Sequence, residues 1–184
     1  MTETKDMKKN KNRDEVLIKF PDTSNTKELD DMIREFEKLI NEFTGKYYLK
    51  ESENPYIYFL EYTKPKELIE NLEYREELSN INFIPVNCVI NNINYITSTI
   101  HDKIRHKIKD NDTFDVTCYI DGYSALYSKE ELEKLMKDTL KQTIHIDSSK
   151  NDPMWKISIY IIGDISAINI SRSTRNRNKF SQYN

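Results

Sequence analysis

Gly45, Gly122 and Gly163 are the only glycines in 184 residues, and none lies near another. A phosphate-binding P-loop and a dinucleotide fingerprint both need several closely spaced residues without a Cβ, so neither can be assembled from this chain. The glycine-containing turns that hold acetyl-coenzyme A or S-adenosylmethionine are disfavoured for the same reason. No G-x-S-x-G elbow is present to display a serine nucleophile. The three glycines act instead as punctuation. Gly45 follows the end of a helical pattern, Asp121-Gly122 closes a strand, and Gly163-Asp164 has the form of a two-residue hairpin turn.

Between these marks the apolar residues alternate or recur at helical spacing. Val16–Phe20 reads as a strand. Leu29, Met32, Ile33, Phe36, Leu39, Ile40 and Phe43 form the stripe of an amphipathic helix. Two short strands flank Asn54-Pro55, and Pro65 opens a second helix carrying Leu68, Ile69 and Leu72. "FIPVNCVI" is the next strand, and Ile96, Ile100, Ile104 and Ile108 then predict a helix running to Lys109. "TFDVTCYI" alternates as a half-buried strand. Ser128 and Glu131 have capping-box spacing before Leu132, Leu135, Met136 and Leu140. The short strand "IHI" and a final hairpin beginning at Trp155 complete the pattern. The order predicts an α+β chain: a β-α-β-β-α ferredoxin-like domain over 14–82, then a β-α-β-α-β-β-β domain over 83–171. The polar ends, 1–13 and 172–184, flank them.

With 37% hydrophobic and 32% charged residues and a mean hydropathy of −0.78, the chain is polar yet able to bury a core. No run approaches the roughly 18 apolar residues of a membrane span. The first residues lack a secretory apolar stretch, so a cytoplasmic location is expected. Cys88 and Cys118 sit in apolar alternating segments and are expected to be reduced core thiols.

Charge is unevenly spread. Residues 1–13 carry five cations and two acids, and residues 172–184 carry four cations and no acid. Residues 14–82 hold nine cations against seventeen acids, whereas residues 83–171 hold ten against twelve. A polyanion is therefore expected only at the second half. Candidate phosphate contacts are Lys103, Arg105, Lys107 and Lys109 on the predicted third helix, and the tail cations Arg172, Arg175, Arg177 and Lys179. The orphan amides at Ser128, beside Lys129, offer an anion site. Tyr123, in the loop before that cap, is a candidate for stacking on bases. His101 and His106 are five apart on a helix and point about 140° from one another, which does not suit a metal. No carboxylate pair is singled out for acid–base work. The residues thus suggest a binding protein with no catalytic residue, no cofactor and no metal.

The strings "FIPVNCVI", "DTFDVTCYIDG", "YSKEELEKLMKDTL" and "IHIDSSKNDPMWKISIYIIGDISAINIS", in this order over residues 15–171, resemble the THUMP-domain proteins of RNA modification. The preceding half resembles the ferredoxin-like domain that comes before THUMP. Family members commonly carry arginines and a histidine around the mid-domain turn, where this chain has Ile120, Asp121 and Tyr123. Ser128 is the best-matched position. In the family a separate domain does the chemistry, and a chain of this extent is similar to the stand-alone adaptors that present tRNA to a cytidine acetyltransferase. The resemblance implies a non-catalytic RNA-binding accessory protein, with the acceptor end of tRNA as ligand. The alternative is an interaction module whose acidic first half docks a basic protein without touching RNA.

Overall fold

The computed structural model describes residues 13–44, 46–62, 64–121 and 126–173. Tyr123, Arg175, Arg177 and Lys179 lie outside the described residues. The chain divides into two compact units between Val89 and Ile90.

The first unit contains β1 (Arg13–Lys19), α1 (Thr26–Phe43), β2 (Tyr48–Glu51), β3 (Ile57–Glu61), α2 (Pro65–Glu73), a single 3₁₀ turn (Glu76–Leu78) and β4 (Asn82–Ile90). Helix α1 starts where Asn25 accepts the Glu28 amide at 3.0 Å, and Pro65 opens α2. The strands form an antiparallel array in the order β2-β3-β1-β4. Val16, Ile18 and Phe20 project from one face of it into a cluster with Phe36, Ile40, Leu68 and Leu72 of the helices. Phe20 meets Phe36 edge-on, with ring centroids 5.9 Å apart. Strand β4 was expected to open the second domain. It pairs with β1, from Arg13↔Cys88 to Lys19↔Asn82, and completes a β-α-β-β-α-β unit with ferredoxin-like strand order. Without it, that edge of β1 would be left unpaired in the first unit. Glu15, 2% exposed on β1, is matched by Lys50 Nζ at 2.6 Å, and Glu61 lies 3.5 Å from the same ammonium. Burial opposes the Lys50 charge, but the hydrogen bond to Glu15 and the surrounding acidic field prevail and raise its pKa.

The second unit contains α3 (Ile93–Ile104), β5 (Thr113–Asp121), α4 (Lys129–Ile144), β6 (Asp147–Ser148), β7 (Trp155–Ile162) and β8 (Ile165–Arg172). The strand order is β8-β7-β5-β6, with β5 parallel to β7 and β6, and β7–β8 an antiparallel hairpin. Phe114, Val116 and Cys118 share one face of β5 with Ile157, Ile159 and Ile161 of β7, and all are buried. Ile96, Ile100 and Ile104 of α3 and Leu132, Met136 and Leu140 of α4 supply the helical side of this core. Helix α3 is shorter than its isoleucine stripe predicts. The Lys107 and Ile108 amides both turn back to the Ile104 carbonyl, at 2.8 and 3.1 Å, and Asp112 Oδ2 accepts the Lys109 amide at 3.1 Å. These bonds swing the chain into β5, so Arg105, Lys107 and Lys109 project from a turn rather than a helical face.

No helix among the described residues is long and apolar enough to cross a membrane.

Candidate nucleic-acid interface

Parallel strands place the starts of the following helices at one end of the sheet, where orphan amides gather beside the strand C-termini. In the second unit α3 and α4 both begin there, around a cleft of ≈ 410 Å³. Ile120 and Ile161, near the ends of β5 and β7, line it together with Asn92, Asn94, Tyr127 and Leu132. Asn91 fixes the entry to α3. Its amide donates to the Asp164 carbonyl at 2.8 Å, its Nδ2 to the Gly163 carbonyl at 3.4 Å, and its Oδ1 accepts the buried Ser166 hydroxyl at 3.1 Å. The hairpin turn that Asn91 grips requires Gly163 at φ 56°, a left-handed conformation that glycine takes without Cβ strain. Asn92 then caps α3 by accepting the Asn94 amide at 2.9 Å.

Ser128 caps α4 in a full capping box. Its hydroxyl accepts the Glu131 amide at 3.2 Å, and Glu131 Oε2 accepts the Ser128 amide at 2.8 Å. Those hydrogen bonds to Ser128 hold the Glu131 carboxyl below the usual carboxylate range. Glu131 thus already occupies part of the anion site expected at Ser128. Lys129, the next residue, is half-exposed. Its ammonium lies 5.8 Å from the centroid of the Tyr119 ring and 4.0 Å from Glu133.

Lys129, Glu133 and Lys137 form an i, i+4, i+8 row along the rim of β5. Glu133 accepts the Cys118 amide at 2.9 Å, and Lys137 Nζ lies 2.7 Å from Asp115 Oδ1, an ionic contact not aligned as a hydrogen bond. The row protects an edge, because β6 pairs only with Thr113 and Phe114 and leaves the rest of β5 without a strand on that side. Burial, with the field of Glu133, pushes the Cys118 thiol up to about 12. Burial and Glu15 push the Cys88 thiol up as well, so neither cysteine is a poised nucleophile.

The other predicted site residues lie at the opposite end. Lys103 is in the last turn of α3, roughly 15 Å from the helix start at 1.5 Å per residue. Arg105 follows it, 3.7 Å from Asp102. Lys109 and Arg172 converge on Asp112, which is only 7% exposed. Its Oδ2 accepts Trp155 Nε1 at 2.9 Å and the Lys109 amide at 3.1 Å, and stands 3.8 Å from an Arg172 nitrogen. The Arg172 guanidinium also lies over the Trp155 ring, 5.2 Å from its centroid. Arg172, a candidate for RNA contact, thus lies at the edge of a buried network with its own side chain 42% exposed. A second cavity at this end, ≈ 470 Å³, is lined by Asp110, Asp112, Asp147, Lys141 and His145, a mixed and mainly acidic set. Among the described residues no group of His, Cys, Asp and Glu is arranged to hold a metal.

No protein-family model matches the chain, and no curated protein matches it. Among solved structures, PH1313 from Pyrococcus horikoshii Ot3 superposes with a TM-score of 0.67 at 15% identity, covering 86% of this chain and 54% of that one. A 4-thiouridine synthetase solved as an RNA complex with bound ATP superposes with a TM-score of 0.63 at 14% identity, covering 87% of this chain and 41% of that one. The fold is that of THUMP-domain proteins. The chain spans about half the length of these solved proteins.

At the end where α3 and α4 begin, the sequence points to Ser128 and Lys129 but not to Asn91, Asn92 and Asn94. Their signal is the run "NNIN" directly after a strand, where an asparagine is a natural helix cap.

Proposed function

We propose that this chain binds RNA, and specifically tRNA, through the open end of its second unit, as a non-catalytic cytoplasmic accessory protein that presents tRNA to a separate modification enzyme. The observation that carries the reading is the cleft at the strand ends, lined by the start of α3 and by Tyr127 and Leu132 on either side of the start of α4, with Lys129 on the neighbouring rim of β5. The N-terminal amides and positive end of α3 favour a phosphate there, and the aliphatic floor of Ile120 and Ile161 suits the face of an unpaired base. The solved RNA complex of a protein with the same fold supports it. The acceptor end of tRNA as ligand and a cytidine acetyltransferase as the partner enzyme rest on the family resemblance. Lys103, Arg105 and Lys107 are too far from the cleft to share one grip on a phosphate, and the tail cations enter by charge alone.

The test is tRNA binding by the purified chain at two salt concentrations, with and without residues 174–184. The reading predicts binding whose logarithm falls with log salt by roughly 0.7 to 0.9 per phosphate contact, and a shallower slope on truncation if the tail touches RNA. Absence of binding at low salt overturns it. A second reading has an observation of its own: the seventeen acids of residues 14–82 against nine cations suit a basic protein partner. Capture of the acetyltransferase by the chain with no RNA retained would favour that reading.

A further inference from the structure

Tyr119 of β5 and Tyr160 of β7 are direct partners in the parallel pair, and their rings stack 4.7 Å apart at an interplanar angle of 10°. That separation matches the strand spacing, so the rings stand side by side off the sheet like rungs set by the strands beneath. Beyond Tyr119 the ladder has no next rung, because β6 pairs with β5 only at Thr113 and Phe114. The outward side of Tyr119 meets the Lys129 ammonium at 5.8 Å, farther than a ring in van der Waals contact would lie. Tyr119 is 47% exposed, one of the large side chains that this unit leaves in water along with Tyr95, Leu126 and Tyr127. Tyr74 is more exposed, at 87%, but it sits among Glu73, Glu76 and Glu77, where a phosphate would be repelled. Of these two tyrosines, only Tyr119 pairs a stacking face with a cation.

We propose that the Tyr160–Tyr119 stack is a platform for one unpaired nucleobase of RNA, which continues the stack on the outward face of Tyr119 while Lys129 moves onto the adjoining phosphate. The proposal rests on the RNA-binding reading and adds to it a second contact, on the rim of β5 rather than in the cleft. Every base has a π-face, so the platform is tolerant of sequence and selective for single strands. The tyrosine hydroxyl is not needed for stacking, whereas the ring is.

The probe is an unstructured oligouridine carrying one 2-aminopurine, titrated with the full chain while the fluorescence of the base and the affinity are both followed. Stacking on Tyr119 predicts quenching on binding, retained by Tyr119→Phe and lost by Tyr119→Ala and Tyr119→Leu. The two latter variants should bind roughly 5- to 100-fold more weakly. Circular dichroism confirms that they are folded, and Tyr119→Leu keeps an apolar side chain at the rim should Tyr119→Ala fail to fold. Binding without quenching, equally tight in Tyr119→Leu, overturns the platform and leaves the cleft reading intact. Failure of the wild-type chain to bind any RNA overturns both.

Discussion

At the end of the second unit where α3 and α4 begin, the polar groups satisfy one another locally and leave their outer surfaces open. Glu131 closes a cap, Asn92 closes another, and Lys129 and Tyr119 stay half in water. At the other end the polar groups turn inward. Buried Asp112 gathers an indole and a backbone amide with a guanidinium at its edge, and Lys141 is held 2.7 Å from Asp147. The second end holds more cations in sequence, yet several of them are already committed. Counting basic residues points to one end; asking which charges the fold has left available points to the other, where the proposed function places the RNA.

The sharpest way to break this contrast is Asp112→Ala. Removing the buried acceptor strands Trp155 Nε1 and the Lys109 amide and leaves Arg172 without its carboxylate, so we expect a loss of about 3 kcal/mol in thermal or denaturant unfolding. RNA affinity of the protein that remains folded should not change. At the open end, Lys129→Ala should leave stability nearly untouched, weaken RNA binding by about 3- to 10-fold and lower the salt slope by roughly 0.7 to 0.9. Ser128→Ala opens the capping box and should cost about 1 kcal/mol of stability. The partner effect follows pH. Because Glu131 titrates below its unfolded value, its contribution is present above the ordinary carboxylate pKa and lost as pH falls through the folded one. Wild type and Ser128→Ala should therefore both lose this contribution under acid, because Ser128→Ala keeps the backbone amide that Glu131 accepts, and most of the difference between them should persist. The smallest effect is expected for Arg172→Gln, with unfolding shifted by about 0.5 to 1 kcal/mol and the salt slope of RNA binding unchanged.

Much of the fold is legible because its signals are local. The stripe from Leu29 to Phe43, the capping box at Ser128 and the turn at Gly163-Asp164 each specify their own element within a few residues. What the sequence misplaces depends on distant partners. The isoleucine stripe continues to Ile108, but the helix stops at Ile104 because Asp112, eight residues beyond the last helical isoleucine, draws the chain into a turn. "FIPVNCVI" looks like the first strand of a new domain until β1 claims it as the fourth strand of the first unit. The Tyr119–Tyr160 stack joins residues 41 positions apart through a parallel register that no local pattern encodes. Arg172 was read as part of a free tail because its proximity to Asp112 and Trp155 is likewise non-local.

The most direct test of the central claim is a salt titration of tRNA binding by three proteins: wild type, Lys129→Glu, and Lys103→Glu combined with Lys107→Glu. If the helix-start end holds the RNA, Lys129→Glu reduces affinity by at least about tenfold and flattens the slope. The double variant then stays within a few-fold of wild type at the same slope. The reverse pattern, with the double variant crippled and Lys129→Glu unaffected, would contradict the account and move the RNA to the end that carries Lys103 and Lys107.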